Sequence, residues 1–221
     1  MRKLLIIVIG MIFLFSVSIL SAGAKTLTYY PTDDTFVNKY NPNGNFDEYS
    51  NELQLSDYPG YFRRIYLKFD LSNLSGMTIT SATLHLHVYA GSIKGEDYVN
   101  LHRVTESDWD EETLTWNNQP DDGLVYITKT YIDSGGWKTW SGLESLVQGW
   151  VDGDYPNYGI VLECDLDGVS NELIYVYFDD KSTDNRPYLE IEAVSIPSAV
   201  FLFGSGLIGL AVIRRKKFRK I

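Results

Sequence analysis

Residues 81–89 read Ser81-Ala82-Thr83-Leu84-His85-Leu86-His87-Val88-Tyr89. Ala82, Leu84, Leu86 and Val88 alternate with Thr83, His85, His87 and Tyr89. A period of two places the first set on one face of a β-strand and the second on the other. Runs of the same character recur on both sides, at 26–30, 35–37, 53–55, 62–69, 98–104, 125–131, 158–163, 173–178 and 186–191. Turn-rich stretches such as Asn41-Pro42-Asn43-Gly44-Asn45 separate them. About nine or ten short strands without a βαβ rhythm predict an all-β fold, a two-sheet β-sandwich or jelly roll. One segment departs from the pattern. Trp140, Leu143, Leu146, Val147 and Trp150 stand at helical spacing, which predicts one short helix over 141–151 with Ser141 as its cap and Asp152-Gly153 as its stop.

The chain has 221 residues, room for one ordinary domain, and its 44% hydrophobic content excludes wholesale disorder. Its net charge of -10 is unevenly spread. Eight of the 19 basic residues sit at the ends: Arg2, Lys3, Arg214, Arg215, Lys216, Lys217, Arg219 and Lys220. Residues 25–213 therefore hold the other 11 basic residues against all 29 acidic ones, a net charge of -18. So acidic a body repels phosphate backbones and excludes nucleic acid as a partner. A single cysteine, Cys164, excludes an internal disulfide framework and reads as a small buried hydrophobe.

Both ends read as addresses. Residues 1–24 run from Met1-Arg2-Lys3 through an apolar stretch to Ser21-Ala22-Gly23-Ala24, the layout of a signal peptide cut after Ala24. Residues 194–213 carry no charge, are long enough as a helix to cross a bilayer, and are followed by the basic tail 214–221. That tail stays cytoplasmic by the positive-inside rule, which puts residues 25–193 on the far side of the membrane. The stretch from Ile196-Pro197-Ser198-Ala199 through Gly204, Gly206 and Gly209 to Arg214-Arg215-Lys216-Lys217 resembles a PEP-CTERM sorting signal, with Ile196-Pro197-Ser198-Ala199 where such tails usually carry Pro-Glu-Pro. The resemblance implies processing by an exosortase. It also implies transient anchoring in the inner membrane of a Gram-negative bacterium and delivery to the cell surface or exopolysaccharide matrix.

Four ordered blocks carry a second resemblance. They are Phe62-Arg63-Arg64-Ile65-Tyr66-Leu67-Lys68-Phe69-Asp70-Leu71-Ser72, then Ile79-Thr80-Ser81-Ala82-Thr83-Leu84-His85-Leu86, then His102-Arg103-Val104-Thr105 running into Trp109-Asp110-Glu111-Glu112-Thr113-Leu114-Thr115-Trp116-Asn117. The last comprises Leu146-Val147-Gln148-Gly149-Trp150-Val151, Gly159-Ile160-Val161-Leu162 and Asn185-Arg186-Pro187-Tyr188-Leu189. Residues 25–193 thus resemble a DNRLRE domain, also described as carbohydrate-binding module family 96. The resemblance implies a β-jelly roll, an extracellular location and a polysaccharide partner. Arg103 and Glu112 recur in the family pattern and are expected to form a structural ion pair.

Sugar binding needs aromatic faces for C–H surfaces and polar groups for hydroxyls. Tyr58 and Tyr61 flank Pro59-Gly60 just before Arg63 and Arg64, whose guanidinium groups suit uronic-acid carboxylates. Tyr58, Tyr61, Arg63 and Arg64 are therefore the expected carbohydrate-binding residues, with the two arginines on opposite faces of a regular strand, so that at most one of them serves the site. Trp109, Trp116, Trp137 and Trp140 are expected as core or end-cap anchors. The pairs Asp33-Asp34 and Asp165-x-Asp167 set oxygen ligands close together in turn-like segments and suggest a structural Ca2+. His85-x-His87 places two imidazoles on one strand face, where a solvated sheet face is expected rather than a metal site. Asp108, Asp110, Glu111 and Glu112 read as a solvated turn rather than a catalytic carboxylate pair. The sequence has no Ser-His-Asp spacing, Gly-rich phosphate loop or H-E-x-x-H. The expectation is a secreted, non-catalytic carbohydrate-binding protein. A structural surface or matrix protein without glycan binding is the alternative, and a polysaccharide hydrolase or lyase stands third.

Overall fold

Alternation decides the architecture, and the longest strand shows it most clearly. The computed structural model describes residues 23–47, 51–57, 61–92, 97–120, 124–164 and 175–195. Among these lie strands β1 (Lys25–Tyr29), β2 (Asp33–Asn38), β3 (Glu52–Ser56), β4 (Arg63–Lys68), β5 (Met77–Ser92), β6 (Asp97–Arg103), β7 (Val125–Ile132) and β8 (Gly136–Trp140). Helix α1 (Glu144–Asp152), β9 (Ile160–Cys164), β10 (Tyr175–Asp179) and β11 (Tyr188–Ser195) complete the set. Along β5, Ala82, Leu84, Leu86 and Val88 are buried, while Thr83, His85, His87 and Tyr89 face outward.

The strands follow one antiparallel hydrogen-bonded path, β1-β11-β5-β10-β3-β4-β9-β6-β7, with β8 beside β5 and β2 beside β4. Among the described residues the step from β3 to β4 consists of a single residue pair, Ser56 opposite Arg63. The sheet curls over at that narrow join, so the apolar faces of its two halves meet. Leu53, Leu55, Leu84, Leu86, Val176 and Phe178 from one half share a core with Phe36, Ile65, Leu67, Leu101 and Leu162 from the other. Among the described residues the expected all-β class with one short α-helix is what forms, and the curled sheet is consistent with a β-sandwich.

Trp140 spans the two halves. Its side chain is fully buried, and its indole Nε1–H donates to the carbonyl of Val99 on β6 at 2.9 Å. The strand that carries it, β8, was not expected from sequence. Its inward positions are Gly136, Lys138 and Trp140, so only one of three is apolar and the period-two signal is lost. The helix starts three residues later than expected. Gly142 adopts φ +81°, and the Leu143 amide donates to the Ala82 carbonyl at 3.1 Å, so residues 141–143 are tied to β5 before the first helical turn. Ser141 is therefore not the cap. The stop falls where expected, with Gly153 at φ 75° and the Asp154 amide closing on the Gly149 carbonyl at 2.9 Å. Gln148 pins the helix to the start of β5. Its Oε1 accepts from the Ile79 amide at 2.7 Å and its Nε2 donates to the Met77 carbonyl at 3.2 Å.

Lys25 on β1 pairs with Ala193 on β11. Strand β11 runs on to Ser195. Residues 1–22 and 196–221, which hold the expected signal peptide, the rest of the apolar run and the basic tail, lie outside the described residues. Among the described residues no helix is long and apolar enough to cross a membrane.

Replacing Trp140 with Ala opens a cavity between the halves and leaves the Val99 carbonyl without its donor. A loss of ~3–5 kcal/mol in unfolding free energy is expected, read from the urea midpoint. An unchanged midpoint would show that Trp140 does not join the halves.

Candidate functional site

The outer face of β2, β4 and β9 is not open to solvent. Side chains there alternate with those of the main core, and loop 104–119 folds over them. Val37, Tyr66 and Val161 from the strands pack with Val104, Trp109 and Leu114 from the loop to make a second small core. Trp109 is buried as expected, donates from Nε1 to the Tyr158 carbonyl at 2.8 Å and meets Tyr66 edge-on. The acidic turn fastens the loop. Asp108 pairs with Lys68 at 2.7 Å, Asp110 Oδ1 accepts from the Glu112 amide at 2.9 Å, and Glu111 binds the Lys181 ammonium. The expected pair of Arg103 with Glu112 does not form. Arg103 lies 4.0 Å over the Tyr155 ring, Glu112 is exposed, and the neighbouring Glu111 makes the ion pair.

Beside this cover, at the start of β4, lies a cleft of about 240 Å3 lined by Lys39, Phe62, Arg63, Arg64, Trp116 and Glu163 among others. The Lys39 amide donates to the Phe62 carbonyl at 2.9 Å, which holds the end of β2 against the entry to β4. The two arginines leave the strand on opposite sides, as expected, yet both reach the cleft. Arg63 donates to the Tyr175 hydroxyl and stacks 4.6 Å from that ring. Arg64 pairs through Nε with Glu163 at 2.8 Å and lies 5.4 Å from the Trp116 ring. Burial alone would raise the Glu163 pKa, but His102, 3.1 Å away, and Arg64 outweigh it, so the carboxyl ends below its ordinary value. Tyr61 stacks on exposed Tyr40 at 4.5 Å and 15°. Tyr58 lies outside the described residues. Two residues escaped the sequence reading: Tyr40, and Lys39, whose ammonium sits 5.0 Å over Phe62 and 5.8 Å from Trp116; Trp116 packs against the second core, as expected of an anchor, and also lines the cleft. The cleft thus combines cations with aromatic rings inside an acidic body, a chemistry suited to a sugar that carries a carboxylate.

The Asp33-Asp34 pair does not present a joint calcium site. As neighbours on β2 the two side chains point to opposite faces. Asp33 takes the Thr32 hydroxyl at 2.8 Å. Asp34 is buried, accepts from the Lys181 amide at 2.7 Å and has the Lys181 ammonium 3.9 Å away. Among the described residues no cluster of three potential ligands forms. Asp165 and Asp167 lie outside the described residues. His85 and His87 share one face as expected but take different partners. His85 stacks on Tyr188 at 4.3 Å, and His87 Nδ1 meets Asp179 Oδ2 at 2.7 Å.

Comparison with known proteins then decides the family. The sequence pattern described as "Carbohydrate-binding module family 96" matches residues 25–193. The chain belongs to carbohydrate-binding module family 96. Similar stretches of this family 96 module occur in far longer proteins. A protein named gellan lyase from a Bacillus species is 35% identical over 119 residues, which is 51% of this chain and 4% of that protein. A protein named tRNA nuclease WapA from Bacillus subtilis (strain 168) is 28% identical over 173 residues, 72% of this chain and 7% of that protein. The module therefore spans only a small fraction of these curated relatives.

Asp34 yields a prediction about pH. Burial pushes its carboxyl up to about 7; Asp180 and Glu111 add to the rise, and the Lys181 amide and ammonium oppose it. The folded state holds this proton more tightly than the unfolded chain, whose value is ~3.9. Its contribution to stability is therefore full below pH ~4 and is lost as pH rises towards 7. In urea unfolding, wild type should lose stability relative to Asp34→Asn between pH 5 and pH 8. A difference that stays constant over that range rules out the buried, proton-holding carboxyl.

Proposed function

We propose that this protein is a secreted, non-catalytic polysaccharide-binding protein whose Lys39–Arg64 cleft takes acidic sugars. The observation that carries the reading is the meeting of Lys39, Arg63 and Arg64 with Phe62 and Trp116 in one cleft of a family 96 module. Rings offer contact to sugar C–H faces, and guanidinium and ammonium groups offer donors to a carboxylate. Tyr61 and Tyr40 extend the same rim, and Tyr58 is assigned to it by its place in the sequence. One relative is named a gellan lyase, and gellan is a polysaccharide. Catalysis is no part of the proposal: Glu163, the carboxylate in the cleft lining, is paired with Arg64.

The delivery half of the proposal rests on the two ends of the sequence. Residues 1–24 act as a signal peptide, and the apolar run with its basic tail holds the protein transiently in the inner membrane of a Gram-negative bacterium. An exosortase-type enzyme then processes it for release to the cell surface or exopolysaccharide matrix. Calcium is proposed only for the Asp165-x-Asp167 segment, as a structural ion.

Two measurements test these assignments. In affinity gels containing gellan or a polyuronate, the full-length protein should be retarded. Lys39→Gln and Arg64→Gln should each weaken retention about tenfold, the worth of one charge-assisted contact. Unretarded migration through every acidic polymer would overturn the cleft assignment. For calcium, the thermal midpoint should rise with added Ca2+ and fall back with chelator; an unmoved midpoint removes the ion.

A further inference from the structure

The two outer faces of the curled sheet have different fates. Loop 104–119 covers that of β2, β4 and β9, whereas the outer face of β5 with β8, β10 and β11 carries a run of rings. Trp137 stands opposite His87 across the β5–β8 ladder, their rings 5.3 Å apart. Trp137 also meets Tyr188 at 5.3 Å, and Tyr188 lies flat on His85 at 4.3 Å and 7°. Towards β3 the run continues through Tyr89 and Tyr177, 6.0 Å apart. Trp137 is 44% exposed and Tyr89 47% exposed, large fractions for rings that burial would favour. Four strands at ~4.8 Å spacing, from β8 through β5 and β10 to β3, give the run a width of ~14 Å.

Carboxylates are interleaved with these rings. Asp179 meets His87, Glu52 accepts from the Tyr89 hydroxyl, and exposed Glu190 bears electrostatically on both His85 and Tyr188. This charge pattern selects among occupants. Two copies of the face laid together would set carboxylate against carboxylate. An acidic polymer would be repelled. A neutral sugar chain offers C–H faces to the rings and hydroxyl donors to the carboxylate lone pairs.

We propose that the outer face of β5 and its neighbours is a second carbohydrate-binding surface, selective for neutral glycan chains, with Trp137 and Tyr89 as its exposed platforms. It shares with the Lys39–Arg64 cleft only the general class of ligand, and the two surfaces have opposite charge preference. A single module with both would bridge an acidic polymer and a neutral one.

Affinity gels of the full-length protein test this with hydroxyethylcellulose, galactomannan and dextran as neutral probes and gellan as the acidic one. Wild type should be retarded by at least one neutral polymer. Trp137→Ala and Tyr89→Ala should each weaken that retention about tenfold, whereas Trp137→Phe, which keeps a ring, should preserve most of it. Neither alanine variant should alter retention by gellan, which Arg64→Gln should weaken. Unretarded wild type in all three neutral gels overturns the proposal, as does unchanged neutral retention in the Trp137→Ala/Tyr89→Ala double variant. Loss of gellan binding alone would sink the cleft reading and leave this one standing.

Discussion

Burial of Leu84, Leu86 and Val88 against Ile65, Leu67 and Leu162 is the contact on which the rest depends. It fixes the parity of β5, and parity admits no compromise: a slip of one residue would put Leu84 in water and His85 in the core. Once the inner set is fixed, His85, His87 and Tyr89 must face outward, and the ladders to β8 and β10 bring Trp137 and Tyr177 alongside them. The aromatic face is therefore a by-product of core packing in its position, though not in its composition. The narrow β3–β4 join has a similar effect at the other end of the sheet. It places Arg63 at the curl, with Tyr175 from one half and Phe36 from the other within reach.

The covered and uncovered outer faces differ because one has been given a second core. Loop 104–119 has no regular strand to hold it, so side chains do so. Asn45 Nδ2 donates to the Glu111 and Leu114 carbonyls, and Lys181 reaches from the β10–β11 connection to Glu111. Trp109 and Leu114 supply the apolar contacts. A sheet face so covered cannot serve a polymer, and the two proposed surfaces lie elsewhere, at the edge of the cover and on the opposite face.

Much of this was legible in the sequence where a local period carried it. The alternation over 81–89 set the strand and its faces, and the family blocks located the arginines of the cleft. Position relative to distant segments was not legible. Trp137 and Trp140 belong to the same short strand, and only pairing with β5 shows that one is exposed and the other fully buried. Glu111 rather than Glu112 reaches a cation because Lys181, 70 residues away, is brought to that side of the loop. Lys39 and Trp116 meet in the cleft through a turn and a loop that carry no periodicity at all. Asp34 looked like half of a ligand pair, but its neighbour faces the other way and its partner is an ammonium.

The ladder that joins β1 to β11 sets Lys25 directly across from Ala193. The polypeptide thus enters and leaves the domain at one doorway. A unit built that way can be spliced between the residues of a larger protein, or hung from a single stalk, without breaking any of its own strands. That portability suits a module whose counterparts occupy 4% and 7% of their hosts.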